Sequence, residues 1–237
     1  MLFKFKKGKI NLDVITDRKE LIDLYPVDHV KNFIPNWYKK MPSLCEDEIK
    51  DSPTMKSCMG IIDLFKKGIV IPNWSDFIIY KDHENQQIKF EYADKITQVM
   101  FHSPKQWKYY LDEKESLHFK TTSPWCFKCK EDIKFFFTGF HWGLNPFLIH
   151  IPSAIVDFKY QHQTHINAFM RHMFFNKIMI PAGQALIHLI PLSDKEIDLK
   201  YHLEDTKTIN NLKTRMTLHF TNNYTKLVNN LRQRRNK

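Results

Sequence analysis

Short runs of aromatic and β-branched residues, separated by turn residues, dominate the chain after Gly68. They lie at Ile69–Ile71, Phe77–Tyr80, Ile88–Tyr92, Thr97–Phe101, Leu117–Thr121, Ile133–Phe137, Phe147–Ile151, Ala154–Tyr160 and Ala185–Ile190. An earlier segment, 10–15, alternates apolar and polar side chains as a half-buried strand does. Many short strands at this spacing indicate an antiparallel sandwich or barrel rather than βαβ units. The pattern therefore predicts a mainly β fold.

Helical patterns flank this β-rich stretch on its N-terminal side. Asp17 is a candidate cap for a short helix that precedes Pro26. Residues 52–68 predict a longer helix, because Ser52 and Pro53 suit its start and Gly68 suits its end.

The C-terminal segment carries a separate apolar stripe. Residues 193–205 are polar and charged, which predicts a linker. Apolar residues then recur every three or four positions, at Ile209, Leu212, Met216, Phe220, Tyr224, Leu227 and Leu231. The sequence thus predicts a β-rich body over 1–200 and one long basic amphipathic helix over 205–237. The stripe would dock on its own body, on a partner protein or on a second copy of the chain.

Basic residues are concentrated at the two ends of the 237-residue chain, whose formal net charge is +10. The candidate contacts for phosphate or for an acidic protein surface are Lys4, Lys6 and Lys7 at one end and Lys226, Arg232, Arg234 and Arg235 at the other. A solubilising role is the alternative for these ends.

Several classes of protein are disfavoured by what the sequence lacks. Six glycines among 237 residues do not suit a collagen-like or Gly-rich chain, and no P-loop or Rossmann fingerprint occurs. No apolar run approaches the ~18 residues that span a bilayer, and no signal peptide is recognisable, so no membrane association is predicted. Four cysteines without a dense pattern indicate free thiols in a reducing compartment.

Two groups of residues have spacings that bear on metal binding. Cys126 and Cys129 form one C-x-x-C, but no second pair completes a zinc site, and in a strand the two side chains would point to opposite faces. Six histidines lie between 141 and 188: His141, His150, His162, His165, His172 and His188. With Asp157 they could form a non-haem iron site, although the H-x-D pair of the oxygenases is absent. Scattered strand histidines are the alternative, and we predict no metal or cofactor.

Asp157 is an acid within an apolar strand pattern, Ile155 to Tyr160. A buried carboxylate needs partners or its pKa rises, and such an acid can act as a general base for water. It can equally bond loop amides in a structural role.

Five blocks of sequence occur in an order that resembles a family of uncharacterised proteins from T4-like marine phages and some bacteria. They are Thr54-Met55-Lys56-x-Cys58-x-Gly60, Gly68-Ile69-Val70-Ile71-Pro72, Ser123-Pro124-Trp125, Val156-Asp157 and Ile180-Pro181-Ala182-Gly183. Relatives usually carry a Pro-Gly turn where this chain has Lys130-Glu131-Asp132. The resemblance implies a phage or bacterial origin, a compact β-rich fold, and a place in the host cytoplasm during infection or in the virion.

A fainter resemblance links Asp157, Tyr160 and the Gly183 loop to trimeric dUTPases and dCTP deaminases. It implies a β-clip-like body in which Asp157 activates water and Tyr160 stacks on the sugar. The chain lacks the Ser-Gly phosphate segment of those enzymes, and it has His188 where they usually place Gln.

Together these patterns predict a phage-encoded, non-catalytic binding or assembly protein with basic termini. The expected partners are a phage or host protein, nucleic acid through the basic ends, or a second copy. The alternatives are a diverged dUTPase-like hydrolase centred on Asp157 and an iron oxygenase.

Overall fold

The fold is described by a computed structural model over residues 8–45, 52–82, 84, 87–107, 110, 116–143, 149–171 and 176–217, together with residues 229 and 233. Its strands are β1 Lys9–Thr16, β2 Asp28–His29, β3 Ile69–Pro72, β4 Phe77–Asp82, β5 Gln87–Tyr92, β6 Val99–Phe101, β7 Ser116–Cys129, β8 Phe135–Gly139, β9 Ile149–His150, β10 Ala154–Val156, β11 Gln163–Arg171, β12 Lys177–Ile180, β13 Ala185–Pro191 and β14 Glu196–Leu203. The described helices are α1 Lys19–Leu24, α2 Asn36–Lys40, α3 Met59–Leu64 and α4 Thr206–Thr217, with 3-10 turns at Val30–Phe33, Met55–Ser57 and Pro104–Gln106. The prediction of a mainly β fold is confirmed.

The strands form three sheets. The first has the order β14-β1-β7-β11-β9, and β6 also pairs with β7. The second has the order β10-β8-β13-β3-β2, and the third has β12-β4-β5. The pairing of β1 with β14 is parallel, whereas the other strand pairs of the described chain are antiparallel.

One hydrophobic core joins the three sheets in a sandwich-like arrangement. The fully buried rings of Trp125 and Phe127 reach it from the first sheet, Phe135 reaches it from the second, and Phe77 reaches it from the third. These residues lie on strands in which alternate side chains point to one face, so each sheet can turn an apolar face inward. The core therefore holds the sheets together, and the other face of the first sheet carries α4 and a group of aromatic and polar side chains.

The single helix predicted over 52–68 is wrong. Residues 52–54 are drawn into an extended pairing with 43–45, with backbone bonds from Cys45 to Ser52 and from Thr54 to Ser43. Thr54, rather than Ser52, then caps the 3-10 turn, and α3 follows only from Met59. Gly68 does end this region with a φ of 97°, and a Cβ there would lie 2.3 Å from the carbonyl oxygen of Leu189. That close approach requires glycine.

The predicted linker over 193–205 is also wrong, because most of it is strand β14. Ile197 and Leu199 face the core, and polar residues alternate with them. The whole strand pairs with β1 in unbroken register, from Lys9 opposite Glu196 to Thr16 opposite Leu203. Apolar and polar side chains alternate along β14 as in an ordinary strand, but its many charged residues give it the composition of a linker.

The long C-terminal helix predicted over 205–237 is not what the structure describes. Helix α4 spans twelve residues, and 229 and 233 are the only positions described beyond it. Ile209 and Leu212, the first two residues of the predicted stripe, are buried against Ile15 and Cys126 on the outer face of the first sheet. The stripe thus docks on its own body where it is described. The basic residues Lys4, Lys6, Lys7, Lys226, Arg232, Arg234 and Arg235 lie outside the described residues.

Candidate functional site

Asp157 follows a strand instead of lying within one. Strand β10 ends at Val156, and residues 158–160 form a turn, so the strand predicted over Ala154–Tyr160 is only half correct. The carboxylate Oδ1 of Asp157 accepts a hydrogen bond from the backbone N–H of Lys159 at 3.1 Å. The carbonyl of Asp157 accepts from the N–H groups of Tyr160 and Gln161. Phe158 is the first residue of this turn, and its ring is fully buried in the core.

Tyr160 lies in the same turn and is half-buried. The ammonium of Lys159 lies 5.7 Å from the centre of its ring, within range of a cation–π contact. The structure therefore brings Asp157 and Tyr160 together in sequence and space. Their described contacts are those of a tight turn.

The histidines of the 141–188 stretch are divided among separate contacts. His162 Nδ1 bonds the carbonyl of Phe127 at 2.9 Å, and His188 Nε2 bonds the carbonyl of Lys67 at 2.8 Å. His165 Nδ1 pairs with the hydroxyl of Thr122 at 3.2 Å. The rings of His141 and His150 stack with centres 6.4 Å apart, and His172 lies outside the described residues. In the described part of the chain, no three His, Cys, Asp or Glu side chains are grouped as metal ligands would be.

The two cysteines of the C-x-x-C lie on opposite faces of β7, as the strand period predicts. Cys126 packs under α4, whereas Cys129 belongs to the core. Burial raises the pKa of the Cys126 thiol to about 11. Burial raises the pKa of Cys129 to about 12, assisted by the adjacent Glu131 carboxylate. Both thiols are therefore protonated and unreactive near neutral pH.

The outer face of the first sheet carries an aromatic and histidine cluster that no sequence motif indicates. His118 on β7 stacks on His102 and on Phe169, each with ring centres 4.4 Å apart, and Trp107 meets Phe169 edge-on. Burial lowers the pKa of His118, and the charge of His102 lowers it further. The His118 imidazole is consequently neutral near pH 7. The sequence does carry a signal for this face, since Ser116, His118, Lys120 and Thr122 recur at every second position of β7.

Lys120 and His165 extend this face toward α4. Lys120 is 9% exposed, and burial lowers the pKa of its ammonium group. Burial lowers the pKa of His165 to about 4, with a smaller effect from the charge of Lys120. The region is thus a shielded polar layer in which the His118 and His165 imidazoles are neutral near pH 7. Its rings are already packed against one another, which suits support of the sheet more than capture of a ligand.

A charged cleft of about 660 Å³ lies where β1 and β14 begin. The cleft is lined by His29, by the lysines Lys9, Lys31, Lys66, Lys67 and Lys195, and by the acids Asp63, Asp194, Glu196 and Asp198. Ion pairs join Lys9 to Asp198, Lys66 to Asp63 and Lys67 to Asp194 at 3.4–3.9 Å. Within the described part of the chain, Lys31 and Lys195 have no carboxylate partner. Because Lys9 opens β1, the basic N-terminal end joins the fold at the rim of this cleft.

Comparisons with family models, with curated proteins and with solved structures gave no match. No helix in the described ranges is long and apolar enough to cross a bilayer.

Proposed function

We propose that this chain is a non-catalytic binding or assembly protein that engages an anionic partner through its basic ends. The observation that carries the proposal is the charged cleft at the start of β1, where Lys31 and Lys195 have no carboxylate partner among the described residues. The N-terminal lysines Lys4, Lys6 and Lys7 precede that strand directly in sequence. Cationic side chains that are brought together in this way attract phosphates or carboxylates.

The C-terminal end supplies the second half of the proposal. Ile209 and Leu212 anchor α4 on the sheet, so the residues that follow are tethered to the body. The basic side chains Lys226, Arg232, Arg234 and Arg235 belong to that tethered segment in sequence. A phage or host protein, or nucleic acid, would be held by these charges rather than by a deep pocket.

The contacts of the candidate chemical groups support a non-catalytic role. The carboxylate of Asp157 caps a turn, and His162 and His188 bond backbone carbonyls. Hydrogen bonds of these side chains to backbone groups stabilise the fold. The phage origin, and a location in the host cytoplasm or the virion, remain part of the proposal on the strength of the sequence resemblance.

Salt-dependent binding tests the proposal. Fluorescence anisotropy with a labelled DNA duplex and with labelled polyglutamate, over a series of salt concentrations, should show affinity for at least one probe that falls steeply with salt. Such a fall follows from the release of counterions when charges are neutralised. The triple variant Arg232→Gln, Arg234→Gln, Arg235→Gln should weaken binding and reduce the salt slope by about one for each arginine that neutralises a phosphate.

A matched variant separates local charge from total charge. Lys19→Gln, Lys130→Gln and Lys177→Gln remove the same charge from exposed positions on the body. This control should bind like the wild type. Absence of binding to both probes, or equal loss in the two triple variants, would contradict the proposal.

A further inference from the structure

Strand β14 forms an edge of the first sheet and has a regular backbone. Among the described residues, no strand pairs with its outer side. Its eight residues contain no proline, and its ladder with β1 has no bulge. Proteins usually protect such an edge with prolines, bulges, charged side chains or a covering segment, because an open edge can pair with another chain. Strand β14 carries charged side chains, and their order therefore decides which partner strand it can accept.

The backbone groups that face outward can be assigned from one hydrogen bond. The N–H of Glu204 donates to the carbonyl of Thr16 at 2.9 Å, and Thr16 lies opposite Leu203. Since successive residues of a strand direct their backbone groups to opposite sides, the even positions of β14 bond to β1. The odd positions Ile197, Leu199 and Tyr201 therefore present their N–H and C=O groups at the open edge.

When two copies of β14 are placed side by side in antiparallel directions, acidic side chains of one copy lie opposite basic side chains of the other. Its outer-face residues are Glu196, Asp198, Lys200 and His202. In an antiparallel pair centred on Leu199, Asp198 of each strand faces Lys200 of the other, and Glu196 lies opposite His202. The core-face residues then match as Leu199 with Leu199 and Ile197 with Tyr201. Within one molecule Asp198 also pairs with Lys9 on β1, and His202 contacts Asp13.

The backbone and the charges select the same register. In this arrangement the hydrogen-bonded pairs are Leu199 with Leu199 and Ile197 with Tyr201. These are the residues whose backbone N–H and C=O groups point outward. The charged pairs occupy the non-hydrogen-bonded positions, where side chains lie closest. Centring the pair on Asp198 or on Lys200 would place like charges face to face, which is destabilising.

We infer that β14 is an interaction surface for a second copy of this chain, paired antiparallel about a two-fold axis at Leu199. Such an interface uses the same strand from both copies, as the common two-fold dimers do. It would join the first sheets of two molecules into one continuous sheet. Glu196 and Asp198 also line the charged cleft, but association is measured without an anionic ligand, so failure of this inference and failure of the proposed binding are distinguishable.

Two charge variants test both the partner and the register. Asp198→Lys places lysines face to face in a homodimer, and Lys200→Glu places acids face to face. Each variant alone should associate at least about tenfold more weakly than the wild type. Mixed together they should associate with each other, because the lysine introduced at position 198 of one chain then faces the glutamate introduced at position 200 of the other. Sedimentation velocity over a concentration series would report species of one and two times the 28.5 kDa chain mass.

One control variant and one measurement of folding accompany the association experiment. Lys177→Glu, on the exposed side of β12, changes one charged side chain away from β14 and should associate like the wild type. Circular dichroism of both β14 variants should match the wild type, and recovery of the dimer on mixing requires folded chains. A wild type that stays monomeric at high concentration would overturn the inference. Variants that self-associate like the wild type, or that fail to pair when mixed although folded, would overturn it as well.

Discussion

At the residue scale, the contacts of its carboxylate decide the role of Asp157. The sequence does not show whether Asp157 is a catalytic base or a structural acid, because the apolar pattern from Ile155 to Tyr160 is compatible with a continued strand and with a turn. The chain leaves the strand after Val156, and Phe158 is buried within the turn that follows. That burial depends on rings from two distant strands, which local pattern does not show.

The turn bond predicts different effects for two substitutions of Asp157. Asp157→Asn keeps an Oδ1 acceptor for the N–H of Lys159, so its stability should stay within about 0.5 kcal/mol of the wild type. Asp157→Ala loses the acceptor and should cost about 1 kcal/mol in the free energy of unfolding. Urea denaturation of both variants measures the difference. Hydrolysis of a deoxynucleoside triphosphate by the wild type that is lost in Asp157→Asn would contradict the structural role.

Glu131 predicts a pH dependence of stability. Burial alone would raise the pKa of Glu131, but hydrogen bonds from the backbone and side chain of Asn11 outweigh it and lower the pKa to about 2. A group with a depressed pKa stabilises the fold above its unfolded pKa of ~4.3, and that stability is lost as the pH falls toward 2. Solvent screening limits the contribution to about 1 kcal/mol.

Urea unfolding at pH 6, 4 and 3 measures this loss. Glu131→Gln should be less stable than the wild type at pH 6, and the gap between the two proteins should close as the pH falls. Asp194→Asn removes the same charge from an exposed carboxylate and serves as the matched charge control. A gap that stays constant with pH would show that the charge of Glu131 is not involved.

At the scale of elements, sequence predicts the short apolar strands well and the charged ones poorly. The runs in β3, β4, β5 and β13 are visible because their apolar residues are consecutive or alternate with few charges. Strand β14 has the composition of a linker, although its apolar residues from Ile197 to Leu203 repeat every second position. It also pairs with residues nearly two hundred positions away, and no local rule supplies such a partner.

Two truncations separate α4 from β14. A chain that ends at Glu204 keeps the ladder between β1 and β14 but loses the burial of Ile209 and Leu212, so it should fold with about 2–4 kcal/mol less stability. Its Cys126 should become reactive toward a thiol reagent, because α4 no longer covers it. A chain that ends at Leu192 also loses β14 and should fail to fold.

Circular dichroism and timed thiol labelling check these outcomes. The exposed Cys45 and Cys58 should react quickly in every folded form and provide the internal reference. An unfolded chain after truncation at Glu204 would show that α4 is integral to the body. A folded chain after truncation at Leu192 would restore the interpretation of 193–205 as a linker.

At the scale of the whole molecule, the sheets depend on one another through rings that bridge them. Phe158 contacts Phe127 of the first sheet with ring centres 4.8 Å apart and Phe135 of the second sheet at 5.0 Å. Phe119 similarly contacts Phe77 and Phe90 of the third sheet. The abundance of aromatic residues predicts a substantial core. Which rings meet could not be predicted, because the order of strands in the sheets decides it.

These bridges predict one cooperative unfolding transition and a large effect of Phe158→Ala. Removing a fully buried ring that touches both sheets leaves a cavity and should cost about 3–5 kcal/mol. Because the sheets share the core, tryptophan fluorescence and far-ultraviolet circular dichroism should lose signal at the same urea concentration, in the variant as in the wild type. Ile155→Ala removes apolar atoms from the 53% exposed neighbour in β10 and should cost much less. Two separated transitions in either protein would mean that the sheets fold as independent units, and the shared core would then not be the main source of stability.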